Sequence, residues 1–144
     1  MRVATAITFA WILVSPALAG EAVSHSKDAK PEYEPGSSVE MPFLIAPLNQ
    51  DGKLVGYAYI SSKIVAASLS AAVSVREKTP FLQDAFVRDV NAAPITTADD
   101  PLTVDRPALA ARLLADAKRI AGSNRAVSFV ITQIQVAPTR PNRS

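Results

Sequence analysis

Residues 42–64, PFLIAPLNQDGKLVGYAYISSKI, carry the reading on which the fold turns. An apolar run from Met41 to Leu48, broken by prolines, leads into Asn49-Gln50-Asp51-Gly52, and a second run follows from Leu54 to Ile64. Asp-Gly is a strong hairpin signal, because glycine accepts the positive φ that a two-residue turn demands. Val55, Tyr57, Tyr59 and Ile60 favour a strand. Pro42 and Pro47 suit an edge strand, where a missing N–H is tolerated. The stretch predicts a β-hairpin over 42–64.

Towards the C-terminus, 64–78 reads two ways. Leu69, Ala71, Val73 and Val75 alternate with Ser68, Ser70, Ala72 and Ser74, as in a strand. The alanine content and the Leu69–Val73 spacing fit a helix with Ser68 as N-cap. Periodicity leaves both open. Thr79-Pro80 marks a helix start or restart, a capping hydroxyl followed by proline at the first helical position. Phe81, Leu82, Ala85, Phe86 and Val90 give that helix a broad apolar face, and Asp84 and Arg88 stand four apart, where they can pair. A loop over 91–103 contains Pro94, Asp99, Asp100 and Pro101.

Asp105 then caps a second helix with Pro107 in its first turn. Leu109, Leu113, Leu114, Ala117, Ile120 and Ala121 fall within an arc of about 140°, off which Arg112, Lys118 and Arg119 point. Gly122 is a natural stop. Val127 to Val136 is the clearest strand, and Pro138 and Pro141 end the order. The expected class is α+β: a small antiparallel sheet, made of the N-terminal hairpin and the C-terminal strand, packed against two or three helices.

Towards the N-terminus, Met1-Arg2, the uncharged stretch Val3 to Val14, the break at Ser15-Pro16 and the small residues of Ala17-Leu18-Ala19 form the pattern of a secretory signal. Cleavage is expected between Ala19 and Gly20. The apolar core of about 12 residues falls short of the roughly 20 that span a bilayer as a helix. The rival reading retains residues 3–19 as an inner-membrane anchor. No cysteine follows the apolar run, which excludes a lipoprotein anchor. Residues 20–40, with Lys27, Asp28, Lys30, Glu32, Glu34 and Glu40 among Pro31, Pro35 and Gly36, read as a flexible linker with too little apolar surface to offset its ordering entropy. The domain is placed at 41–138, with a disordered tail at 139–144. The expected location is the periplasm.

Composition narrows the chemistry. The chain has 15 basic and 13 acidic residues, and only Arg2 of these lies in the signal. Such a balance, with no basic stripe, argues against nucleic acid as a partner. The absence of cysteine removes thiolate catalysis, cysteine-ligated zinc and haem attachment. The single histidine, His25, sits in the linker, where a mobile side chain is a poor general base. No histidine pair or His–Glu cluster predicts a metal site, and no glycine-rich loop predicts a phosphate site. A Ser–Lys dyad of Ser61 or Ser62 with Lys63 lacks any surrounding nucleophile elbow. The expectation is a protein that is not an enzyme, with no catalytic residue, no cofactor and no metal.

Three features remain as site candidates. Asp89 breaks the apolar face between Leu82 and Phe86. It reads as a carboxylate paired with an arginine or accepting backbone N–H groups near the helix end, and alternatively as a buried acid that contacts a partner. Asp99-Asp100 reads as a solvated loop, with a weak cation site as the alternative. Tyr57 and Tyr59 share one strand face and read as packing, with ligand stacking as the alternative, whereas Gly56 and Ala58 leave the other face flat enough to admit a partner.

Two segments resemble a known family. Thr79-Pro80-Phe81-Leu82-Gln83-Asp84-Ala85 is similar to the start of the first long helix in the periplasmic domain of the flagellar basal-body-associated protein FliL family. Val127-Ser128-Phe129-Val130-Ile131-Thr132-Gln133-Ile134-Gln135-Val136 is similar to that family's last strand. The order of hairpin, helices and strand is the same over roughly 42–137. The resemblance implies a stomatin- and prohibitin-like fold, helix over 68–92, self-association and protein binding without catalysis. Members of that family carry a cytoplasmic tail and a retained transmembrane helix. Here only Met1-Arg2 precedes an apolar segment that looks cleavable. The expected function is protein–protein interaction, by self-association or with a motor or envelope component, at the flagellar basal body in flagellum-dependent motility. The alternative is a periplasmic small-ligand or lipid-binding module with a pocket between sheet and helices.

Overall fold

The Asp-Gly pair does form the turn of a hairpin. In the computed structural model, which describes residues 37–140, Asp51 and Gly52 have φ of 50° and 74° and link Gln50 to its cross-strand partner Lys53. Two successive positive φ values give the turn the twist of its flanking strands. The elements run β1 (Ser38–Glu40), β2 (Leu44–Gln50), β3 (Lys53–Ala66), α1 (Leu69–Glu77), α2 (Thr79–Ala92), α3 (Arg106–Ala121) and β4 (Ala126–Pro138). The expected signal sequence, its expected junction at Ala19 and Gly20, and His25 lie outside the described residues. Among the described residues, no helix is long and apolar enough to cross a membrane.

β3 is the spine of a four-stranded antiparallel sheet. It pairs with β1 and β2 along one edge and with β4 along the other. β1 and β2 behave as one strand broken at Pro42. Met41 still donates its N–H to the Ser62 carbonyl at 2.9 Å, but proline has no N–H to continue the ladder. The register then slips by one residue between Glu40↔Lys63 and Leu44↔Ile60. β4 carries bulges beside the Ser61/Ser62 and Val65/Ala66 steps, so Thr132 and Val127 have no opposite number on β3. Bulges on both sides of Ser61–Ser62 add local bend and twist there.

β1 lies in the stretch assigned to the linker. Its three residues gave no sequence signal, yet Val39 is buried and pairs with Ile64. Beyond β4, Thr139 donates to the Val55 carbonyl at 2.8 Å.

The ambiguous segment divides. β3 continues through Ala66, and α1 begins at Leu69 with Ser68 as its cap, the hydroxyl accepting from the Ala71 N–H at 3.1 Å. The α1–α2 junction differs from expectation. Lys78, not Thr79, is the N-cap of α2, and the Thr79 hydroxyl donates back to the Val75 carbonyl at 3.5 Å. Pro80 in the first turn cannot donate to α1, so the first helix ends and a second starts in a new direction. α3 starts and stops as expected: Asp105 accepts from the Ala108 N–H at 3.1 Å, and Gly122 ends the helix at φ 111°.

All three helices cover one face of the sheet, so the architecture is an α+β sandwich of two layers. Leu44, Ala46, Leu48, Ala58, Ile60 and Ile64 from the strands meet Val75, Leu82, Phe86, Leu109, Leu113 and Ala117 from the helices in one core. Phe86 packs edge-on against Phe129, with ring centroids 5.3 Å apart and planes at 83°.

Candidate functional site

Asp89 stands one turn from the end of α2, where its own carbonyl accepts the N–H of the capping residue Ala93 at 3.2 Å. Arg112 of α3 covers it. Nη2 lies 2.5 Å from Asp89 Oδ1 and donates to the Asp89 carbonyl at 3.1 Å, Nε donates to Oδ2 at 3.4 Å, and Nη1 donates to the Pro94 carbonyl at 2.7 Å. A planar guanidinium is suited to such a fan of acceptors, and a cation at a helix C-terminus also meets the negative end of its dipole. Asp89 thus takes the intramolecular pairing that its place on the helix suggested. Arg112, which lies off the apolar arc of α3, was missed as its partner. Only the distance in sequence between the two hid the pair.

Asp89 also borders an open groove of about 580 Å³ between α2 and α3. Asp84, Asp89 and Asp116 line it, and each is paired: with Arg88, with Arg112 and, at 2.8 Å, with Arg119. The apolar part comes from Phe81, Ala85, Ala92 and Ile120, and Lys78 Nζ stands 5.6 Å from the Phe81 ring centre. The carboxylate charges along the groove are matched inside the chain. They frame an apolar strip with alternating polarity, a surface that can seat a side chain. The interface between sheet and helices, where the alternative reading put a ligand pocket, holds the core, and at its rim a hollow of about 220 Å³ lies between Leu48 of β2 and the end of α2 at Val90 to Ala92.

The two faces of β3 exchange the roles expected of them. Gly56 and Ala58 lie on the core side, and Ala58 is fully buried. A Cβ at Gly56 would stand 2.8 Å from the Ala137 carbonyl and 3.3 Å from Leu102. The small residues let neighbouring backbone close down, so that flat surface admits the protein's own core. Tyr57 and Tyr59 are on the open face, each more than a third exposed, opposite Pro47 and Ile45 on one side and Ala137 and Gln135 on the other.

The other candidates resolve as follows. Of the two serine candidates, Ser62 is buried and Lys63, the next residue of β3, points to the opposite face, whereas Ser61, two residues before Lys63, shares its face. Asp100 folds its own loop: Oδ1 accepts from the Leu102 N–H at 2.9 Å and Oδ2 from the Thr103 hydroxyl at 2.6 Å. Those bonds hold its carboxyl below the usual 3.8, the Thr103 hydroxyl contributing most, the Leu102 N–H next, with burial opposing. Among the described residues, no group of three His, Cys, Asp or Glu side chains comes together as a metal site would require.

One polar feature had no sequence signal. Gln83 Nε2 donates to the Phe43 carbonyl at 3.1 Å, where the β1–β2 break leaves that carbonyl outside the ladder. The Gln83 Oε1 is buried with no partner among the described residues. Next to it Phe43 is 71% exposed. Compared with known proteins, the chain matches no family model and no curated sequence.

Proposed function

We propose that this chain is a non-enzymatic exported protein that works by protein–protein contact, as a FliL-like component associated with the flagellar basal body. The observation that carries the contact reading is the placing of large apolar side chains outside the core. Phe43 and Phe81 are 71% and 63% exposed, and Leu69 and Val73 stand one turn apart on the outer side of α1 at about half exposure. The core is complete without them. Exposed apolar side chains that a fold does not use internally, such as the pair one turn apart on α1, offer a surface to a partner. The basal-body assignment rests on the resemblance, and the helices over 69–77 and 79–92 agree with what that resemblance implied for 68–92.

The groove between α2 and α3 favours a second reading, a periplasmic module for a small apolar ligand. Its volume of about 580 Å³ falls in the range of ligand sites. Native mass spectrometry of the chain recovered from the periplasm separates the two, because a ligand module retains a bound small molecule. The basal-body role is tested in the native cell by deleting residues 41–138 and measuring swimming, together with the position of a fluorescent fusion. Loss of swimming and foci at flagellar bases are expected. Unchanged swimming with diffuse fluorescence overturns the role.

A further inference from the structure

The sheet has two outer edges, and they are built differently. Thr139 donates to Val55, and the register pairs Ala137 with Tyr57, Gln135 with Tyr59 and Gln133 with Ser61. Backbone groups alternate in direction along an antiparallel strand. Ala137, Gln135 and Gln133 therefore face β3, and Ile134 and Val136 turn their N–H and C=O groups outward. The same alternation across β3 puts Ile45 and Pro47 at the outer edge of β2.

There the edge is closed to another strand. Pro47 lacks the outward donor, Gln83 occupies the Phe43 carbonyl, and Pro42 breaks the run. These are devices that keep an edge from pairing. β4 has no such device below its Thr132 bulge until Pro138. It carries no charge anywhere from Ala126 to Pro138, and its only partner among the described strands is β3.

Ile134-Gln135-Val136 also reads nearly the same in both directions about Gln135. We propose that this edge of β4 pairs with the same edge of a second copy, antiparallel about Gln135, joining two sheets into one. The proposal rests on the contact reading above and names the partner as another copy of the chain.

The geometry of that pairing is self-consistent. Ile134 exchanges hydrogen bonds with Val136 of the copy, and Val136 with Ile134. Both side chains are only half-buried on the helix-covered side, so the pairing brings β-branched apolar groups together across the dyad. On the open face Gln135 meets itself. No like charges come into register, and a two-fold interface of this kind closes on itself without growing into a fibre.

The chain has no cysteine, so a single introduced thiol reports the dyad in the full chain, in cells, under mild oxidation. Gln135→Cys sets two thiols in a non-hydrogen-bonded pair at a Cα separation of about 4.5 Å, within disulfide reach. Gln133→Cys sets them about 13 Å apart by strand rise, beyond it. The expected non-reducing gel shows roughly tenfold more covalent dimer from Gln135→Cys than from Gln133→Cys. Val136→Pro, combined with Gln135→Cys, removes one outward N–H without touching the β3 ladder, and abolishes the dimer.

Should that proline lower the melting temperature, Gln135→Arg on the open face replaces it. Light scattering then shows monomer for Gln135→Arg and a restored dimer on mixing with Gln135→Glu. No dimer from Gln135→Cys, equal dimer from both thiols, or dimer that survives the edge substitutions overturns the pairing. Swimming that still depends on the chain while the dimer is absent overturns the edge alone. A chain dispensable for swimming overturns the basal-body reading, whatever the gel shows.

Discussion

Arg112 of α3 holds the last turn of α2 through Asp89, its guanidinium spanning the carboxylate, the Asp89 carbonyl and the Pro94 carbonyl. The pair is part-buried, so solvent screens it less than a surface ion pair. Arg112→Ala leaves the Asp89 carboxylate and the Pro94 carbonyl without the guanidinium, while the Asp89 carbonyl keeps the Ala93 N–H, and costs about 1–3 kcal/mol. Arg112→Lys recovers little of that loss, since a point charge cannot reach three acceptors at once. Denaturant unfolding of both variants checks this. A lysine variant as stable as the parent would show that charge alone, and not the fork, joins the helices.

The edge-on contact of Phe86 with Phe129 ties α2 to β4 through the middle of the core. Phe86→Ala empties a fully buried site and is expected to cost about 3–5 kcal/mol. A double-mutant cycle with Phe129→Leu isolates the ring–ring part, expected at about 0.5–1.5 kcal/mol. A coupling near zero would mean that the two rings contribute by burial alone.

What could be read from the residues, and what could not, follows from range. The hairpin turn, the Asp105 cap, the Gly122 stop and the buried series Leu109, Leu113, Ala117 and Ala121 are local signals, and all appear in the fold. β1 was invisible because three residues have no periodicity, and Ser38–Glu40 owes its state to the edge of β3. At 64–78 a strand and a helix follow one another, so each pattern was present in part. Asp89 stood out locally, but its partner lies 23 residues away. The sense of the two β3 faces was misread because Gly56 and Ala58 look like exposed small residues until the elements that close over them are known.

Asp100 makes the loop before α3 sensitive to acid. Hydrogen bonds from Thr103 and Leu102 exist in the folded chain and favour the ionised carboxyl, so its folded pKa lies below the unfolded 3.8. A group shifted in this direction contributes stability that is fully present above 3.8 and is lost as the pH falls through the folded value. Thr103→Val removes the larger cause and should move the Asp100 titration midpoint up towards 3.8. Carboxyl NMR across the acid range reads the midpoint directly. An unmoved midpoint would show that the Thr103 hydroxyl does not act on the carboxylate in solution.

Gly56 and Gly52 separate two reasons for a glycine within one hairpin. Gly52 stands in open space at φ 74°, so Gly52→Ala meets no atom and costs only the strain of a left-handed turn, about 1 kcal/mol. Gly56 has an ordinary φ, but its added Cβ would press on the Ala137 carbonyl at 2.8 Å and on the Pro138 Cα at 3.2 Å. Those are backbone atoms at the end of β4 and cannot rotate away. Gly56→Ala is expected to cost about 1–3 kcal/mol by overpacking, and to do so by displacing β4 from β3. Amide exchange tells the two apart: Gly56→Ala should deprotect Ala137 and Thr139, whereas Gly52→Ala should leave both as they are. If Gly56→Ala keeps those amides protected at parental stability, the close approach of β3 and β4 at this point is not a constraint on the fold.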